Sequence, residues 1–180
     1  MSTKKLLLIF LLFHAVNLLA NQDSMPQLST TGMGDAKFGM TPGAVERALG
    51  RKLLFAKEAS DPRFRNAPCK AARVAGVPGV DLIFTKGQFD GLSTDKPTVT
   101  TKSGFKVGDS EASIIKKFQA DPTYERYESR YGGADVMQIS MGKSAANGTV
   151  LRFSSSHGKV VEIKAGHAEY VNNDDDYCAF

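Results

Sequence analysis

Phe38-Gly39-Met40-Thr41-Pro42-Gly43-Ala44-Val45 is matched, 69 residues on and without a gap, by Val107-Gly108-Asp109-Ser110-Glu111-Ala112-Ser113-Ile114. At the same offset Leu49 meets Phe118, Phe55 meets Tyr124, and Leu82-Ile83-Phe84-Thr85 meets Leu151-Arg152-Phe153-Ser154. Identities are few, but residue types agree where a core needs them. The pattern predicts one supersecondary unit used twice.

Each unit opens on a hydroxyl residue, Thr41 or Ser110, followed by Pro42 or Glu111. A hydroxyl at the N-cap accepts an orphan backbone N–H, Pro loses nothing at the first helical position, and an acid there suits the helix dipole. Val45 and Leu49, and Ile114 and Phe118, lie four apart and make one apolar stripe per helix. Glu46, Arg47, Lys116 and Lys117 should face water. Gly50 and Asp121-Pro122 are stop signals.

Strand-like runs follow both helices. In the first unit they are 52–56, 69–74, 80–85 and 89–94; in the second, 123–127, 136–141, 149–154 and 159–165. Val136 to Met141 alternates apolar with polar, the signature of a half-buried antiparallel strand. Lys86-Gly87-Gln88 and Ser156-His157-Gly158 supply hairpin turns, and Asn147-Gly148 reads as a tight turn before it reads as a glycosylation sequon. Helix then strands, twice, predicts an α+β fold: two tandem helix-plus-antiparallel-sheet units, both helices on one face and the other face open to solvent. The expected divisions are a signal peptide over 1–20, a flexible leader over 21–34, and one duplicated domain over 35–180. Its repeats cover about 36–94 and 104–178, joined by a Thr-, Lys- and Pro-rich connection over 93–102.

Lys4 and Lys5 precede the apolar run Leu6 to Phe13, which fades toward Ala20. This is a secretory signal pattern, too short to span a bilayer well; the alternative is an uncleaved signal anchor. No Cys follows the run for lipid attachment. The expectation is a periplasmic or secreted protein with no stable membrane anchor after cleavage. Removing Lys4 and Lys5 takes the net charge from +4 to +2, and no Lys/Arg run exceeds two, so a nucleic-acid partner is not expected. Two cysteines in an exported chain, Cys69 and Cys178, favour one disulfide over a reactive thiol.

The tandem units, carried by Phe38-Gly39-Met40-Thr41-Pro42 with Val45 and Leu49 and by Val107-Gly108-Asp109-Ser110 with Ile114 and Phe118, resemble the β-lactamase inhibitor protein fold. A single such unit is similar to the small outer-membrane assembly lipoproteins of the SmpA/OmlA type. The chain departs from those lipoproteins in lacking a lipidated Cys and in having two units. The resemblance implies a non-enzymatic protein-binding module of the cell envelope that binds through the exposed sheet face and adjoining loops. It carries over no inhibitory contact residue and no target.

Ser154-Ser155-Ser156-His157 falls where the repeat predicts a strand end and turn, so it reads as turn chemistry rather than a nucleophile with its base. Asn172 to Asp176 lacks calcium-loop spacing and reads as a solvated acidic tail. With His157 and His167 the only histidines past the signal, no zinc site is expected. No catalytic residue, metal ligand or cofactor is assigned. Recognition has better candidates: Tyr and Arg most often carry interface energy. Arg126, Tyr127, Arg130 and Tyr131 form one cluster, and Arg63, Phe64 and Arg65 form its counterpart in the first unit. Tyr124 aligns with Phe55 and reads as core. The leading expectation is an inhibitor or immunity protein that binds an envelope protein. The alternatives are an envelope-assembly scaffold and a carbohydrate-binding module that stacks sugars on Tyr127 and Tyr131.

Overall fold

The computed structural model describes residues 25–55, 69–128, 136–142 and 148–172. The signal segment 1–20, the loop residues Arg63, Phe64, Arg65, Arg130 and Tyr131, and Cys178 lie outside them.

The fold is α+β, with three short helices and mostly antiparallel strands in a three-stranded and an eight-stranded sheet. The small sheet holds β1 (Leu28–Ser29), β2 (Gly32–Met33) and β3 (Ala36–Lys37). Helix α1 (Pro42–Leu49) leads to β4 (Leu53–Phe55), β5 (Cys69–Val74), β6 (Val77–Thr85) and β7 (Gln88–Thr94). Helix α2 (Glu111–Phe118) leads to β8 (Glu125–Glu128), β9 (Val136–Gly142), β10 (Thr149–Ser156) and β11 (Lys159–His167), and α3 (Ala168–Asn172) follows. The large sheet is ordered β4-β5-β6-β7-β11-β10-β9-β8.

Local chemistry sets the helix ends. Pro42 begins α1, and Gly50 ends it at φ 62°, a left-handed conformation that costs glycine nothing. Thr41 does not cap α1 with its side chain, contrary to expectation; its carbonyl instead accepts the Ala44 and Val45 N–H groups at 2.9 and 3.0 Å. Ser110 does cap α2, accepting the Ser113 N–H at 3.2 Å. The two central hairpins turn on Lys86-Gly87 and His157-Gly158, all four at positive φ, as two-residue turns matched to strand twist require.

Val45 of α1 and Ile114 of α2, each with no exposed surface, join one apolar cluster with Leu82, Phe89, Ile139, Phe153 and Ile163 of the sheet. Burying each such side chain stabilises the fold by about 1.5–3 kcal/mol. Phe105, Phe118 and Phe153 stack beneath α2 with ring centroids 5.7 to 6.4 Å apart.

Two expectations change. From Leu28 onward, the stretch read as flexible leader is built into the body: Leu28 and Met33 are fully buried. Leu28 donates to the Thr100 carbonyl at 2.9 Å and accepts from Lys102 at 2.8 Å. The same bonds anchor the connection between the halves, where Val99 and Thr101 are buried. Second, the sheet face away from α1 and α2 is not bare, because α3 sits on it.

Candidate interaction face

Strand alternation, with register shifts at Arg73/Val74, Ile83/Phe84 and Ser154/Ser155, assigns the paired sheet residues to a face. One register row crosses all eight strands on the face away from α1 and α2: Leu54, Arg73, Asp81, Ser93, Lys164, Arg152, Ser140 and Glu125. Beside it runs a shorter row of Ile83, Gly91, Gly166 and Val150, and on the other side lie Tyr127, Gln138, Ser154 and Glu162.

Tyr170 of α3 closes the centre. Gly91 and Gly166 face each other across β7 and β11, and the Tyr170 ring lies over them. A Cβ on Gly91 would fall 2.1 Å from Tyr170 Cδ1. Ala168, Tyr170 and Val171 bury Ile83, Val150 and Cys69 in a second apolar cluster. The Tyr170 hydroxyl hydrogen-bonds Ser93; burial pushes it up to about 12, the Ser93 bond and Arg152 oppose that, and Glu162 and Asp81 add to it.

Around this plug several polar groups are paired, while the buried Ser140 Oγ has no hydrogen-bond partner among the described residues. Arg73 Nε donates to Asp81 Oδ1 at 3.1 Å, Arg152 Nη1 to Gln138 Oε1 at 3.4 Å, and Lys164 Nζ lies 3.7 Å from Glu162 Oε1. Large apolar side chains stand exposed at the two edges of this face, Tyr127 at 38 % and Leu54 at 58 % exposure, and Val161 is exposed at the β11 bulge.

The sequence grouped Arg126 with Tyr127, but adjacent strand residues point to opposite faces. Tyr127 pairs with Gln138 on the face just described; Arg126 pairs with Ile139 on the helix side. There Arg126 Nη2 donates to Glu111 Oε1 at 2.9 Å, while Ser155 donates to Glu111 Oε2 at 2.7 Å. Burial raises the Glu111 carboxyl, but the Ser155 and Arg126 hydrogen bonds and the Arg126 charge outweigh it and hold it below its ordinary range. Read from sequence, Glu111 was a first-turn acid of α2; it is a buried acid that ties α2 to β8 and β10. The loops carrying the two Arg-aromatic clusters follow β4 and β8, the opposite edges of the sheet. Every neighbouring pair is antiparallel, so β4 and β8 run oppositely and these loops leave from diagonal corners.

Other polar groupings have structural partners. Ser154 donates to Glu162 Oε2 at 3.4 Å. His167 Nδ1 and Asp90 Oδ1 are 2.5 Å apart at the start of α3, and Thr85 donates to Asp90 at 3.1 Å. A cleft of about 330 Å³ opens between β1 and the end of α2, floored by Leu28, Phe118, Met141 and Leu151. Among the described residues no three His, Cys, Asp or Glu side chains gather as a metal site, and no helix is long and apolar enough to cross a membrane. No protein-family model, curated protein or solved structure matches this chain.

Proposed function

We propose that this chain is an exported, non-enzymatic protein-binding module, in its most concrete form an inhibitor or immunity-type protein of the periplasm. The observation that carries this reading is the face opposite α1 and α2. It is a wide platform, centrally sealed by the chain's own Tyr170, with Tyr127 and Leu54 exposed at its edges. Such a preordered surface loses little freedom on docking a folded partner, and tyrosine is a favoured anchor.

The tandem organisation belongs to the same proposal. On each side of the antiparallel β7–β11 pair the sheet runs outward through strands that follow one helix. That order supports two copies of one unit related by a twofold axis normal to the sheet, and with it the β-lactamase-inhibitor-protein-like reading. Export by residues 1–20 and a Cys69–Cys178 bridge complete the proposal; Cys69, buried on the platform side, is the described half of that bridge.

The test uses the exported protein as bait in periplasmic and secreted extracts, beside its Tyr127→Ala variant. Recovery of one enzyme or toxin by the native bait and its loss with the variant supports inhibition. Recovery of envelope-assembly proteins instead turns the reading toward a scaffold. Retention on glycan with no protein recovered overturns it.

A further inference from the structure

Leu54 and Phe55 are neighbours on β4, the outermost strand at one end of the large sheet, and are 58 % and 44 % exposed. They point to opposite faces: Leu54 lies beside Arg73, and Phe55 beside Ala72, with its ring 5.7 Å from that of Phe84. A body docking on either face covers only one of them. A strand laid along the open edge covers both, since its own side chains alternate in step.

The backbone agrees. The Lys52 carbonyl turns inward and accepts the Ala75 N–H at 2.9 Å. The Leu53 N–H turns outward, where Glu46 Oε1 takes it at 2.9 Å. Phe55 shares the parity of Leu53, so its N–H and C=O also turn outward. Glu46 thus caps the first outward donor of the edge and leaves the next to a partner. A cation on β5 stands behind each exposed apolar side chain. Arg73 is directly opposite Leu54 but is already paired with Asp81. Lys70 is two residues from Ala72 on the Phe55 side, exposed and without an ion-pair partner among the described residues.

We propose that β4 is a strand-addition site for an extended acidic segment of the partner protein. The proposal rests on the protein-binding reading above and specifies how part of the partner is held. The partner strand pairs with the Phe55 backbone, sets apolar side chains against Leu54 and Phe55, and directs acids toward Lys70.

The test is a titration of the isotope-labelled exported protein, followed by amide NMR, with a short capped Glu–Val peptide, Glu-Glu-Val-Val-Glu-Glu, whose adjacent Val residues face opposite sides of the strand. The controls are the same peptide N-methylated at alternate positions and a Lys–Val version. The Glu–Val peptide is expected to shift the Leu53 to Phe55 amides and slow Phe55 exchange. Either control, or Leu54→Ser in the protein, should weaken binding by about tenfold or more. Equal binding of a control peptide, no shift at Phe55 at millimolar peptide, or shifts confined to Glu125 and Tyr127 would overturn the proposal. Concentration-dependent shifts at Leu54 and Phe55 without peptide would overturn it in favour of self-association. Failure here with bait capture intact removes only the edge; lost capture with peptide binding intact removes the platform reading.

Discussion

Glu111 and Ser155 are 44 residues apart in sequence and joined by a 2.7 Å hydrogen bond. With Arg126 on the other carboxylate oxygen, this bond fastens the first turn of α2 to both β10 and the edge strand β8. The Glu111 carboxyl is held below its ordinary 4.5 despite burial. A lowered folded value means the stabilisation is present above pH 4.5 and is lost as pH falls through the folded value. Denaturant unfolding across acid pH should show Glu111→Gln with a flatter acid limb than the native protein. Ser155→Ala should cost about 1–3 kcal/mol at neutral pH.

Arg126 and Tyr127 separate stability from recognition. Arg126→Ala leaves Glu111 short of its ion pair and should cost about 1–3 kcal/mol. Tyr127→Ala removes an exposed ring and should stay within about 0.5 kcal/mol. Denaturant midpoints of the two variants check this directly.

Gly91 and Tyr170 should be coupled. Gly91→Ala drives a methyl into the Tyr170 ring and should cost about 2 kcal/mol or more. Tyr170→Ala empties the space above the glycine pair. In a double-mutant cycle the combined variant should be less destabilised than the sum of the two, by about 0.5–3 kcal/mol.

Tyr170 should also ionise late, since burial pushes it from 10.0 up to about 12. A raised folded value means stability is full below pH 10 and is lost as pH rises through 12, by about 2–3 kcal/mol. Tyr170→Phe should remove the late step from the ultraviolet tyrosinate titration and flatten the alkaline decline.

These relationships show where the sequence was legible. β5 runs from Cys69 to Val74 as read, and both longer helices start after their hydroxyl residues, because period and capping chemistry are local signals. The small sheet was missed because two-residue strands carry no period. The five-residue α3 has too few turns to show a stripe. Gly91 and Gly166 inside strands were the available sign of a close approach, and they mark where Tyr170 sits. Arg126 and Tyr127 looked like one patch because adjacency in sequence hides the alternation that parts them. The buried role of Glu111 depends on Ser155, which no local pattern brings near it.

The central claim is that a protein partner docks on the face opposite α1 and α2. The most direct measurement is partner affinity for Tyr127→Glu, on that face, against Lys117→Glu, on the exposed side of α2. The account predicts that Tyr127→Glu weakens binding by about tenfold or more while Lys117→Glu leaves it unchanged. Weakening by Lys117→Glu alone, or by neither, would contradict it.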